Sequence, residues 1–295
     1  LVKLTDPNLH LAYCTNIHPA ESWGETLGAL EAHTLEVRRR LVNHGVMAAD
    51  DWYAIGLRLS ARAASELLDG KVPEFKRWLN ENRCYVFTIN GFPYGDFHGT
   101  RVKEKVYQPD WTTQARYDYT MDLFHILAQI ARPGTGASVS TLPGSFKEFE
   151  ADENLMVANL RRLAEELESL SDRYGIDFHL GMEPEPLGHF ENTAETLRFF
   201  DQLLDGAEDH AVIKRRIGIN YDTCHFALEY EDPTESIHAF HAEGLRISKI
   251  HASSALSLDP RQQNAREAIR AYDEPTYLHQ VIARMPEGHL VRYRD

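Results

Sequence analysis

Acidic and imidazole side chains recur where short apolar runs of this chain end. Glu183-Pro184-Glu185 follows Phe178–Met182, Asp222 and His225 follow Ile217–Tyr221, and His251 follows Leu245–Ile250. Glu183 and Glu185 are two apart, so in extended backbone both carboxylates face the same side. Pro184 between them favours that extended shape. Two carboxylates on one face repel unless a cation lies near or one takes up a proton. A solvated acidic turn is the bland alternative, and the abrupt change from an apolar run into Glu-Pro-Glu-Pro argues against it. Asp222 and His225, three apart, bring a hard oxygen and an imidazole nitrogen together, a pair that Zn²⁺ and Mn²⁺ accept. Alone such a pair is weak, because helix caps share its pattern, and His251 alone reads as a packed core histidine. The three segments together point to one cation. Cys14 and Cys224 also fall near strand ends, where they read as small packing residues.

Elements that could bring these residues together alternate along the chain. The predicted strands are 11–16, 54–59, 85–90, 137–142, 178–182, 217–221 and 245–250. Between them lie predicted helices at about 22–44, 61–68 with 74–81, 114–130, 154–174, from 192, from 232 and 260–271. Ser22 with Glu25, and Asn192 with Glu195, carry helix-start signals, and Asp232-Pro233 supplies a third. Seven β-then-α units imply parallel strands with right-handed crossovers. No Gly-x-Gly-x-x-Gly turn follows any strand, which argues against a dinucleotide-binding sheet. The pattern predicts a single (β/α)8 barrel domain over 1–295. An eighth strand is expected beyond Asp295, because 272–295 reads as a hairpin insertion joined by Met285-Pro286-Glu287-Gly288. Barrel sites form where strands meet the following loops, so the polar strand ends fall on one rim, beneath a long aromatic-rich loop at 91–111.

Composition narrows the partners. Among 295 residues, 31 basic and 45 acidic side chains leave a formal charge of −14. That balance repels phosphate backbones and anionic lipid, so neither nucleic acid nor a membrane is expected. Three scattered cysteines fit a reducing cytosol, and cytoplasmic localisation is expected. No apolar run approaches a membrane span. The first residues carry no signal-peptide pattern, and the leading Leu reads as a trimmed start.

At Gly181-Met182-Glu183-Pro184, Asn220-Tyr221-Asp222-Thr223-Cys224-His225 and Lys249-Ile250-His251 the sequence resembles the xylose-isomerase-like barrel superfamily, which includes sugar epimerases and endonuclease IV. Within it the chain looks most like the EboE family of metabolite-traffic proteins, through Tyr13–Pro19, Gly56–Arg62, Asn90–Gly95 and Val102–Trp111. The resemblance implies that Glu183, Asp222 and His251 ligate a divalent metal ion (Zn, Mn or Mg), with His225 a ligand or substrate contact. A second alignment makes Glu185 the ligand instead of Glu183. Relatives of this kind take a further ligand from an eighth strand and often form homodimers.

The chemistry expected is proton transfer next to a carbonyl of a small, sugar-like substrate, of the isomerase or epimerase type. Glu183 or Glu185 is the candidate base, and the ion stabilises the charge that develops. His18, Arg58 and His98 are expected to bind hydroxyl or carboxylate groups, with Phe92, Tyr94, Phe97 and Trp111 covering the site. A non-catalytic metabolite carrier is the first alternative. An endonuclease-IV-like phosphodiesterase is the second, opposed by charge and by too few histidines.

Overall fold

A computed structural model describes residues 9–95, 103–132, 134–272 and 280–294. Seven strands form one parallel sheet in chain order: β1 (Ala12–Cys14), β2 (Tyr53–Arg58), β3 (Cys84–Asn90), β4 (Ala137–Thr141), β5 (Phe178–Met182), β6 (Ile217–Asp222) and β7 (Ile247–His251). Helices α1 (Trp23–Ala29) and α2 (Leu35–Asn43), joined by a π-helical turn at Leu30–Thr34, connect β1 to β2. The later connections contain α3 (Ala61–Leu68), α4 (Val72–Glu81), α5 (Gln114–Ile130), α6 (Glu153–Tyr174), α7 (Thr193–Leu204), α8 (His210–Arg216), α9 (Thr223–Leu228) and α10 (Pro233–Ala242). After β7 come α11 (Ala265–Arg270) and an antiparallel hairpin of β8 (Gln280–Arg284) and β9 (Leu290–Arg294). This is the architecture of an α/β barrel, with β1 and β7 lacking a second neighbour among the described residues.

Alternation along the strands separates core from site. On β5, Phe178, Leu180 and Met182 are fully buried, as are Leu160, Leu163 and Leu167 of α6 and Phe124 of α5. The intervening positions, His179, Gly181 and then Glu183, face the concave side. That side is lined by small polar groups. Ser138 donates to Thr88 at 2.8 Å and Ser140 to Asn90 at 3.0 Å. Lys249 of β7 reaches Asn90 of β3 and Ser140 of β4, which is possible only because the sheet curls into a trough.

One irregularity sets the register of the site. Between Ile219 and Asn220 the β6–β7 ladder slips by a residue, so Ile219 pairs with Ile247 but Asn220 pairs with Lys249 and Asp222 with His251. Ser248 is the extra residue of this bulge, and it turns Lys249 and His251 toward the same face as Asn220 and Asp222. Gly218 permits the close approach, since a Cβ there would lie 2.5 Å from the Arg246 carbonyl oxygen.

The predicted caps form: Ser22 and Glu25 close a capping box, Asn192 accepts from the Glu195 N–H, and Asp232 accepts from Thr234 and Glu235. Three expectations are corrected. Strand β7 begins at Ile247, because Leu245 is buried in the core and Arg246 turns to an ion pair with Asp177. The helix expected over 260–271 is confined to Ala265–Arg270. Helices α8 and α9 were not anticipated, being too short to show a helical period of their own. His179, the second residue of β5, is buried.

Candidate metal centre

Three strand ends deliver the central residues. Glu183 directly follows β5, Asp222 is the last residue of β6, and His251 is the last of β7. Each offers a donor atom within 4.8 Å of the other two. Glu183 Oε1 lies 3.5 Å from His251 Nδ1, and Asp222 Oδ2 lies 3.2 Å from the same nitrogen. Glu183 Oε2 accepts from Asn220 Nδ2 at 2.5 Å. Asp222 Oδ1 caps α9 through the Cys224 N–H at 3.0 Å and also accepts from the Ser253 hydroxyl. The Asp222 pattern is thus a helix cap and a potential ligand at once, one oxygen serving each.

Neutral groups orient the imidazole. His251 Nε2 lies 3.2 Å from Asn90 Oδ1. An Nε2–H donated there leaves the Nδ1 lone pair facing the two carboxylates, the arrangement that fixes the tautomer of a metal-bound histidine. His225 sits one turn along α9 with Nδ1 3.0 Å from the Pro184 carbonyl oxygen. Donation to that carbonyl leaves Nε2 for a ligand. Asp222, Cys224 and His225 form a second group of converging donor atoms. The Cys224 thiol is pushed up to about 12, by burial first and by Asp222 and Glu183 next.

The surroundings drive the two strand-five carboxyls apart. Burial raises Glu183, but His251 and His225 outweigh it and hold the group below its ordinary value. Asp222 is likewise lowered: hydrogen bonds from His251 and Ser253 and the charge of His225 overcome burial. Glu185 is raised well above the carboxylate range, by burial and then by the charge of Glu183, against an opposing hydrogen bond from Tyr107. Its Oε1 is buried without a hydrogen-bond partner among the described residues. His251 is raised, because Glu183 and Asp222 outweigh its burial. Beneath them Lys249 is lowered to about 8 by burial, with Cys14, Glu183 and Asp222 opposing.

Not every expected residue joins this group. Glu183, and not Glu185, lies with Asp222 and His251. The Arg58 side chain is only 2% exposed, and its guanidinium binds Glu21 at 2.7 Å and the Ala20 and Gly95 carbonyl oxygens. It ties the β1–α1 connection to the segment after β3, a structural task in place of the expected ligand contact. Trp111 is fully buried, with its indole N–H on Thr141 at 3.1 Å, so it packs and presents no face to a ligand. His18 lies beyond β1, stacked on His33 with ring centres 4.4 Å apart and bonded to the Tyr13 hydroxyl. Phe97 and His98 fall outside the described residues.

Sequence reasoning gave no individual role to Asn90, Asn220, Tyr107, Lys249 or Ser253, although Asn90 and Ser253 were among its polar strand ends and Asn220 and Lys249 lie in the motifs that carry the resemblance. Two signals were available: Asn90 is a polar residue closing β3, and Lys249 is a charged side chain within β7.

Fold and site together define an α/β barrel with metal-ligand residue types gathered at the C-terminal rim of its sheet. No protein-family model matches the chain, and no curated protein does. Several solved structures are similar to it. The IolI protein with a bound zinc atom is 12% identical over 78% of this chain and 72% of its own, with a TM-score of 0.46. An AP endonuclease, family 2, from Brucella melitensis is 14% identical over 84% and 86%, with a TM-score of 0.47. The 3-keto-D-glucoside 4-epimerase YcjR from E. coli is 11% identical over 88% and 97%, with a TM-score of 0.46. Among the described residues no helix is long and apolar enough to cross a membrane.

Proposed function

We propose that this protein binds a divalent metal ion through Glu183, Asp222 and His251 and transfers a proton next to a carbonyl of a small polyhydroxylated metabolite, as sugar isomerases and epimerases do. The observation that carries the reading is the meeting of three donor atoms from three separate strand ends within 4.8 Å. The donor set fits a divalent ion. Two carboxylates and one imidazole suit Zn²⁺ or Mn²⁺, and Asn90 already holds the ring with Nδ1 toward them. When bound, such an ion supplies Lewis acidity toward a substrate carbonyl.

The chain's own residues divide the proton chemistry. Glu183 is held ionised and Glu185 neutral, and carboxyls pushed apart in this way suit a base and an acid respectively. Glu185, anchored by Tyr107, is the proton donor in this reading. His225 Nε2 serves the substrate or the ion. The partner is therefore a small molecule, in agreement with the acidic balance of the chain.

The test is solvent-deuterium incorporation, followed by mass spectrometry, with metal-loaded protein over a panel of sugars, ketoses and sugar acids. Exchange that is lost in Glu185→Gln supports the assignment. A protein that holds its metal yet exchanges nothing across the panel sinks the isomerase reading and leaves a metabolite carrier.

A further inference from the structure

The β8–β9 hairpin stands apart from the seven-stranded sheet, and two antiparallel strands alone are only marginally stable in water. Among its described residues only Ile282 is buried, while Val281 and Tyr293 are about half exposed. Polar contacts therefore set its place. Gln280 Nε2 donates to the Pro186 carbonyl oxygen at 2.8 Å. The Tyr230 hydroxyl donates to the Ile282 carbonyl oxygen at 3.2 Å, and the Arg284 guanidinium lies 4.7 Å from the centre of the Tyr230 ring. Arg292 binds Glu229 and lies 3.6 Å from Glu191. Both of these carboxylates are buried, and Lys147 meets Glu191 from the barrel side at 2.5 Å.

These barrel partners belong to two stretches of chain. Pro186 and Glu191 lie in the loop after β5, on which Glu185 stands; Glu229 and Tyr230 follow α9, on which His225 stands. The three candidate metal ligands are held otherwise. Asp222 and His251 pair with each other in the β6–β7 ladder, and the Glu183 N–H continues the β4–β5 ladder onto the Thr141 carbonyl oxygen at 2.9 Å. Beyond Glu183 the chain leaves the sheet. The loop is then tied on one side, where the Lys147 N–H meets the Leu187 carbonyl oxygen and the His189 N–H that of Ser145. The hairpin supplies the other side. It also fastens the end of α9, a helix of six residues and too short to stay rigid unaided. We infer that the hairpin is a clasp that positions Glu185 and His225 against the metal centre, with Gln280 and Arg292 as its positioning residues. This inference rests on the roles proposed above for Glu185 and His225 and adds the element that holds both.

Backbone amide exchange, read by mass spectrometry on the full chain without substrate, tests the clasp directly. The Gly188 N–H bonds the Glu185 carbonyl oxygen, and the Glu229, Tyr230 and Glu231 N–H groups close the end of α9. Exchange at these sites therefore reports opening of the two stretches. Arg292→Met should speed exchange in 185–191 and 226–231 by about tenfold, and Gln280→Ala should do so in 185–191. Exchange in β5 and β6 and the affinity for manganese should stay within about twofold of wild type. Arg292→Lys should keep most of the protection. For a sugar that the deuterium panel identifies as a substrate, Gln280→Ala is expected to lower kcat by about tenfold and leave KM nearly unchanged. Full protection of both stretches in Arg292→Met overturns the inference, as does a kcat that a loosened loop does not move. A loss of protection shared equally by β5 and β6 also overturns it, because that marks general destabilisation. Gln280→Ala deletes one hydrogen bond and decides the matter at 185–191 even where Arg292→Met does not fold. A panel without any substrate sinks the isomerase reading alone, since the exchange measurement needs none.

Discussion

Strands β5, β6 and β7 each carry an ionic residue at both ends, and the two ends are built on opposite terms. Asp177, Arg216 and Arg246 immediately precede the three strands. Arg216 binds Glu168 at 2.6 Å and Asp177 at 2.8 Å, Arg246 binds Asp177 at 2.6 Å, and Arg215 completes the group on Glu168. Every carboxylate there has a guanidinium. At the other ends Glu183 and Asp222 share the His251 imidazole, with His225 3.9 Å from Glu183, and Glu185 keeps a buried oxygen with no hydrogen-bond partner among the described residues. The site end is also the more buried, with the Glu183 and Asp222 side chains 12% and 10% exposed against 49% for Asp177 and 28% for Glu168, so its poorer charge matching is the costlier. A matched cluster fastens strands, whereas a mismatched one is held in place for something it has yet to bind.

Substitutions at the two ends should therefore behave differently. Asp222→Asn keeps the α9 cap but removes a ligand charge. Metal affinity is expected to fall by about a hundredfold, while the denaturant midpoint of the metal-free protein falls only modestly, because the loss of the His251 and His225 attraction that keeps Asp222 ionised is partly offset by relief of repulsion with Glu183. A large loss of metal-free stability would show that the rim is structural after all. Arg216→Met should do the reverse: lower stability by about 2 kcal/mol, discounted for the partly exposed partners, with metal content unchanged. Asn90→Ala sharpens the comparison further, since loss of the Nε2 partner of His251 should weaken metal binding by about tenfold without loss of fold. A wild-type affinity in that variant would remove Asn90 from the site.

The smallest effect expected is one of pH. His251 has a raised value in the folded chain, so its contribution is complete below its unfolded value and is lost as pH rises through the folded one. Metal-free protein should melt at progressively lower temperature as pH climbs from about 6.5 toward 8, and the stabilisation given by added metal should grow over the same interval as the ion replaces the proton. Thermal melts with and without manganese measure both trends. A metal-free melting point that rises across this window would contradict the assigned environment of His251.

How much of this was legible in the residues follows a physical line. Strands and long helices announce themselves by period, and Glu183, Asp222 and His251 by type and by their position after apolar runs. The short helices α8 and α9 carry too few residues for a period. Arg58 and Trp111 have the chemistry of ligand contacts, yet their neighbours Glu21 and Thr141 take up that chemistry, and those partners lie 37 and 30 residues away in sequence. Asn90 is legible only as a polar strand end and Lys249 only as a charge within a strand, because what they do depends on the curl that brings β3 opposite β7.

The bulge at Ser248 makes the site depend on counting as much as on chemistry. Were Ser248 drawn into the ladder opposite Asn220, every later residue of β7 would move on by one pair, and Lys249 and His251 would turn to the helix-facing side with their identities intact. Any grafting of the site onto another scaffold must therefore carry over the pairing of Asn220 with Lys249 and of Asp222 with His251 together with the residues.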